Sequence, residues 1–333
     1  MKIGKLETEL LKKLVFDKIK FKHEDVITRP GVGEDCAVVD YGEFECVIST
    51  DPITAAVNDI GRLAIHVSCN DVASNGVEPL GIMLTVMLPM DIKEEQIAAI
   101  MDQAAEEAAA IGVEIIGGHT EITPVVNKPV IVSTAIGKAV KGFSQSAANM
   151  KPGDYILMTK YAGLEGTGII AKDYGERLSG VLSEEDFNEA EEMLKTVSVV
   201  KEGILAGRIG TSGMHDVTEG GILGAVWELC EISNTGAEIW VDKIPVKAVT
   251  VRICEYFGIN FLKLISSGCM IIMTHPEKKD EIMKRLQEEG IPVACIGRVL
   301  EAEAGKTLKS FRGSEIGEPI HPPESDELYK VMQ

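Results

Sequence analysis

Four aspartates stand where one sequence pattern gives way to another. They are Asp35 in Gly33-Glu34-Asp35, Asp51 in Thr50-Asp51-Pro52, Asp71 after Asn70, and Asp216 after His215, ahead of a Gly-rich helix start. Magnesium takes oxygen ligands and usually shares one or two carboxylates with substrate phosphates, so carboxylates gathered from separate loops suit a metal–phosphate site. Each also has a structural alternative. Asp51 before Pro52 suits a turn, Asp35 can open a strand, and Asp216 can cap the helix that begins near Thr218. Two Gly-rich turns offer backbone N–H groups to phosphate. One is Gly117-Gly118-His119-Thr120. The other is Thr218-Glu219-Gly220-Gly221, which opens a helix whose N-terminal dipole favours an anion. His119 is a candidate ligand or acid–base group, whereas His66 reads as a packing or hydrogen-bonding residue. No G-x-x-x-x-G-K-[ST], G-x-S-x-G or H-E-x-x-H occurs, and no G-x-G-x-x-G opens a first βαβ unit.

Composition narrows the partners. The 333 residues carry 33 basic and 52 acidic side chains, a net charge of −19. Phosphate contacts need Lys and Arg, so this balance argues against sequence-independent nucleic-acid binding and against an anionic membrane surface. The seven cysteines are odd in number and show no C-x-x-C spacing, which points to buried thiols in a reducing compartment, here the cytoplasm. The opening MKIGKLETELLKKLVF is charged throughout, unlike a signal peptide. No apolar run approaches the roughly 20 residues of a membrane span.

The elements that must position these residues alternate between helix and strand. Helices are expected at 5–21, 57–75 and 93–111, with Leu6, Leu10, Leu14 and Ile19 on one face of the first. Asp59, Leu63, His66 and Asn70 share a face of the second. Strands are expected at Glu45–Ser49, in GIMLTVMLP, in VEII before the Gly117–Glu121 turn, and in PVIVSTAIGKAV. Met83 and Met87 read as core. GFSQSAANMKPGD, residues 142–154, reads as a linker. Beyond it, YILMT, AEIWV, CMIIM and VACIGRV alternate with helical patterns at 164–178, 184–195, 197–209, 247–257 and 278–289, and MHDVTEGGILGAVWELCE runs from loop into helix. The class is α/β or α+β, in two domains at 1–141 and 152–333, with parallel and antiparallel sheets both open.

In order, GEDCAVVD, STDP, DIGRLAIHVSCNDVASNGVEPLG, GGHTE, KPGDYILMT and HDVTEGG resemble the AIR synthase superfamily. DVTEGG and LISSGCMIIMT are most similar to its HypE-like hydrogenase maturation factors. The resemblance implies a two-domain AIR synthase-like fold, a homodimer, and ATP with Mg²⁺ in a cleft. Carried over by position, Asp35, Asp51, Asp71 and Asp216 would hold metal and phosphate. Asn70, Gly117, Gly118, Thr120, Gly220 and Gly221 would contact nucleotide, and Asp51, Asp71 and His119 would serve catalysis. The implied activity is ATP-dependent phosphorylation of a substrate oxygen, with a protein side chain or small molecule as acceptor and a maturation protein as a further partner. The alternatives are a nucleotide-binding accessory protein and a small-molecule kinase. HypE carries a carbamoyl group on a terminal cysteine. This chain ends Tyr329-Lys330-Val331-Met332-Gln333 and its last cysteine is Cys295, so it is not expected to act on its own tail. The N-terminal segment lacks the reactive cysteine or selenocysteine of selenophosphate synthetases. Lys5 there is either a phosphate-loop remnant or a solvated lysine at a helix start.

Overall fold

The computed structural model describes residues 4–54, 59–310, 317–323 and 325–332. The first half of the chain runs α1 (Thr8–Leu14), β1 (Val26–Thr28), β2 (Ala37–Tyr41), β3 (Phe44–Ile53), α2 (Ile60–Ser74), β4 (Pro79–Leu88), α3 (Glu94–Ala110), β5 (Glu114–Ile122) and β6 (Val130–Val140). Its six strands form one sheet in the order β1-β2-β3-β6-β4-β5. All pairs are antiparallel except β4 with β5, which α3 links as a crossover.

The strands of this sheet are buried on one face only. Ile82, Leu84, Val86 and Leu88 of β4 alternate with Met83, Thr85 and Met87, and the first set is buried. That first set joins Val47, Ile131 and Ala135 against Leu63, Ile65, Cys69 and Val72 of α2. Each fully buried Leu, Ile or Val there contributes about 1.5–3 kcal/mol. Met83 is 42% exposed and Met87 is half-buried, so the expectation that both are core is corrected. Their face, with Ile48, Val130, Val132 and Ile136, is covered by no element among the described residues.

The first helix is shorter than its pattern. α1 spans seven residues and buries none, and Leu14, Val15 and Ile19 stay exposed. α2 fits the 57–75 expectation from Ile60 onward; residues 57 and 58 lie outside the described residues. The expected turn at Gly117–Glu121 is instead the middle of β5, paired with β4 from Met83↔Gly117 to Met87↔Glu121. The glycines permit this close approach, since a Cβ on Gly118 would stand 1.9 Å from the Leu84 carbonyl oxygen.

Past 142–154 the chain runs β7 (Tyr155–Thr159), α4 (Leu164–Asp173), α5 (Glu184–Leu194), α6 (Val200–Ile209), β8 (Gly213–Asp216), α7 (Gly221–Ser233), β9 (Gly236–Trp240), α8 (Ala248–Phe257), β10 (Met270–Thr274), α9 (Pro276–Glu288), β11 (Val293–Leu300), β12 (Lys306–Lys309), β13 (Glu318–Pro319) and α10 (Leu328–Val331). The second sheet is ordered β13-β12-β9-β11-β7-β10-β8, with β12–β9 its parallel pair. The central strands β7 and β10 are buried almost throughout, as sheet covered on both faces requires. Met214, the β8 residue facing Ile272, packs with Leu205, Ile282 and Leu286 of α6 and α9.

The two halves meet along α2. Ser68 Oγ bonds the Ser133 carbonyl at 3.1 Å, tying the helix to its own sheet. Two residues later, Asn70 is fully buried. Its amide donates to the Val197 carbonyl at 2.9 Å and accepts from Val199 N–H at 2.8 Å. Residues 197–199 therefore stay outside the helix, and α6 begins at Val200 rather than at 197. One turn on, Ser74 Oγ accepts from Asp216 N–H at 3.1 Å.

Candidate functional site

The α2 junction delivers the aspartates to one place. Asp71, one residue past the Asn70 clamp, is buried and faces Asp216 at the end of β8. Asp51 reaches the same spot from β3. Residues 49, 51 and 53 point toward α2, so Ser49 Oγ donates to Asp71 Oδ2 at 2.5 Å and lies 3.3 Å from Asp51 Oδ2. Asp35 closes the group from the loop before β2, with His215 Nε2 3.2 Å from its Oδ2.

These carboxylates are crowded, with Asp71 and Asp216 buried, Asp51 partly buried and Asp35 open to solvent. Burial pushes Asp71 well above the usual carboxylate range, reinforced by Asp216, Asp51 and Asp35. Burial likewise raises Asp216 to about 7, against the pull of His215 and with the push of Asp35. Both Asp216 carboxylate oxygens are buried without a hydrogen-bond partner. An orphaned buried carboxylate costs several kcal/mol unless a cation or proton answers it. This donor set, four carboxylates around a buried centre, fits a divalent cation that prefers oxygen. Asp216 does not cap the following helix, whose N-cap is Gly220.

His215 completes the cluster. Its Nδ1 donates to the Asp216 carbonyl at 2.5 Å. Nε2 faces Asp35 and, at 3.5 Å, Glu228 Oε2 of α7. Burial alone would lower this imidazole; Asp35 and Glu228 overrule it and raise it to about 10. Lys5 Nζ lies 4.0 Å from the other Glu228 oxygen, so the N-terminal segment borders the site rather than standing free. Ser49 and Glu228 were not singled out from the sequence. Ser49 was legible in principle, because it lies two residues from Asp51 and so shares its strand face. Glu228 lies mid-helix, twelve residues past Asp216, with no local signal.

Other expected residues stand elsewhere. Asn70 is fully buried, with its amide bonded to Val197 and Val199, and exposes no atom to a nucleotide in this arrangement. Asp51, Ser133, Leu84 and Gly118 form one row across the sheet, and Pro52, Val132, Thr85 and His119 form the next. His119 thus lies three strand spacings from β3, about 14 Å, and on the opposite face from Asp51. It is exposed and pairs with Glu121 at 3.2 Å. Gly117, Gly118 and Thr120 lie on the same edge strand, outside the carboxylate cluster. Gly220 and Gly221 do open α7, yet Gly220 N–H donates to Asp326 Oδ2 at 2.8 Å. A carboxylate from the C-terminal segment already caps the helix end expected to take phosphate. That segment is held further by Tyr329 Oη donating to Glu219 at 2.8 Å and by buried Leu328 and Val331.

Comparison with known proteins agrees with this architecture. The family model for the AIR synthase related protein N-terminal domain matches residues 33–139, and that for its C-terminal domain matches 151–308. A hydrogenase expression/formation protein of Methanocaldococcus jannaschii is 27% identical, covering 95% of this chain and 96% of its own. A carbamoyl dehydratase HypE of Rhizobium leguminosarum bv. viciae is 28% identical over 81% of this chain and 78% of its own. Among solved structures, HypE in complex with ATP superposes with a TM-score of 0.73, 20% identity and coverage of 99% and 98%. The HypE–HypF complex gives 0.74, 21%, and 94% and 99%. At those identities the structures speak to fold alone. The two family matches span most of the chain, and it belongs to the AIR synthase related protein family.

Proposed function

We propose that this chain binds ATP with a divalent cation and phosphorylates a substrate oxygen, in chemistry of the HypE type linked to hydrogenase maturation. The observation that carries this reading is the pair of buried carboxylates, Asp71 and Asp216, with both Asp216 oxygens unpartnered. Asp35, Asp51, Asp71 and Asp216 would hold Mg²⁺, which neutralises charge on a transferring phosphoryl group. Ser49 orients Asp71 by its hydrogen bond, and the Asn70 clamp holds α2 so that Asp71 faces Asp216. The names of the similar proteins support the ATP and maturation assignments, and HypF in one solved complex suggests the class of partner.

The uncovered sheet face supports a homodimer. Exposed Met83 and half-buried Ile48, Val130, Val132, Ile136 and Met87 present an apolar surface there. A second copy laid over this face is the arrangement in which His119 and the Gly117–Thr120 strand would serve a nucleotide site. Seven cysteines, all free, suit a reducing cytoplasm. Among the described residues, no helix is long and apolar enough to cross a membrane.

A second reading is nucleotide binding without turnover, with the chain acting as an accessory protein. It is favoured by Asp326, which occupies the helix end expected to receive phosphate. Calorimetric titration with a non-hydrolysable ATP analogue, with and without Mg²⁺, tests both readings. Metal-dependent binding that weakens in Asp51→Asn and Asp71→Asn supports the site. Unchanged binding in both variants removes it. Binding without ATP turnover across candidate acceptors moves the accessory reading to first place.

A further inference from the structure

Lys160, just past β7, is one of two non-glycine residues among the described residues with a left-handed backbone, at φ 53°. An L side chain is strained there, and such strain persists only where the surroundings over-determine it. The Lys160 ammonium shows what does so. It donates to the carbonyls of Ser198 at 2.6 Å, Gly268 at 3.0 Å and Thr196 at 3.2 Å. It also lies 2.5 Å from Oε1 of the buried Glu202. Three N–H donors thus face four oxygens, a cage sized for a compact cation.

The two loops caged by Lys160 are the ones that support the two buried aspartates. Residues 196–198 run into the Val197 carbonyl and Val199 N–H that hold Asn70, the residue before Asp71. Gly268 runs into Cys269, whose carbonyl accepts from Val217 N–H at 3.0 Å, and into Met270, the register partner of Asp216. The loops also touch directly, since a Cβ on Gly268 would stand 2.7 Å from the Thr196 carbonyl oxygen. Carbonyl and carboxylate oxygens converging on one point repel one another unless a positive charge lies between them. We infer that Lys160 is a positioning residue: its ammonium pins the 196–199 segment to Gly268 and so sets how Asp71 faces Asp216. It acts through Asn70 and Val217 rather than by contact with metal or nucleotide. This inference rests on the ATP and metal reading above and adds a residue outside the cluster on which the affinity of that site depends.

The test uses Lys160→Gly in the full chain, which the left-handed backbone accepts, and n-butylammonium, the deleted side chain as a free ion. Calorimetric titration with Mg²⁺ and a non-hydrolysable ATP analogue should show affinity down about 10–100-fold in the folded variant. n-Butylammonium should restore it. Tetramethylammonium, which has no N–H to give the cage, should not, and neither ion should change the parent. Amide exchange at Val199 and Val217 reads the same clamp without ligand; both should accelerate in the variant and slow again with n-butylammonium. If Lys160→Gly fails to fold, Lys160→Met combined with Glu202→Gln removes the buried pair as a unit and should show the same loss without rescue. A folded variant that melts lower yet binds like the parent overturns the positioning role and leaves the carboxylate site standing. Unchanged exchange at Val199 and Val217 overturns the clamp, whereas absence of metal-dependent binding in the parent overturns the ATP reading, so the two failures are separable.

Discussion

Asp216→Asn should make the metal-free protein more stable at high pH while it disables cation binding. In the fold Asp216 is raised from its ordinary 3.8 to about 7, chiefly by burial. For an acid raised on folding, the folded state keeps its proton longer than the unfolded chain. Stability is therefore full below about pH 4, falls as pH rises toward 7, and is flat above. Three units correspond to about 4 kcal/mol at ~1.4 kcal/mol per unit. The Asp216 charge in turn raises Asp71, so the figure belongs to the pair and is a ceiling. We expect roughly 1–3 kcal/mol of gain on substitution, since the asparagine amide carries no charge and can donate to Asp71. The assay is thermal melting in chelator near pH 5 and near pH 8. The parent should lose melting temperature over that interval and the variant much less. Adding a divalent cation at about 100 times its dissociation constant should restore about 2.7 kcal/mol to the parent and little to the variant. A variant that melts below the parent near pH 8 without metal, or a parent with no pH dependence, would refute the electrostatic account.

Further outcomes follow from the packing. Asn70→Ala strips Val197 and Val199 of their buried partner and should destabilise the protein by about 2–4 kcal/mol in urea unfolding; a loss below 1 kcal/mol would discount the clamp. Gly118→Ala forces a Cβ onto the Leu84 carbonyl, so amide exchange along β4 and β5 should accelerate markedly relative to β3 and β6. Met83→Lys charges the middle of the uncovered sheet face, and light scattering should show the proposed dimer shifted to monomer; an unshifted dimer would place the interface elsewhere.

The sequence carried the alternation of elements and most helices of the second half, because apolar spacing there follows real burial. Asp35, Asp51, Asp71 and Asp216 were legible as candidate carboxylates and the structure brings them together, but only Asp35 comes from a loop, since Asp51 lies in β3, Asp71 in α2 and Asp216 at the end of β8. What failed was local inference about groups whose partners are distant. Gly117-Gly118-His119 has the composition of a turn, yet β4 recruits it as a strand through a pairing no local window contains. Asn70 carries the residue type of a ligand, but Val197 and Val199, more than 120 positions away, satisfy it. Met83 and Met87 looked like core because alternation shows which residues share a face and not which face is covered. The α7 entrance looked open because Asp326, far along the chain, is what closes it.

The α2 junction also bears on synthesis. Ser68 finds its partner within the first sheet, but Asn70 waits for residues 197–199 and Ser74 waits for Asp216. A ribosome adding about 5–20 residues per second leaves this helix unfinished for roughly 7–30 s after Ser74 emerges. Through that interval the Asn70 amide lacks its partners and the α2 surface that meets the second half is open to solvent, while Ser74 Oγ keeps only its bond to the Asn70 carbonyl. The period of greatest exposure to aggregation and to chaperones therefore falls between synthesis of the two halves. A fragment ending at the linker would remain in that unfinished state.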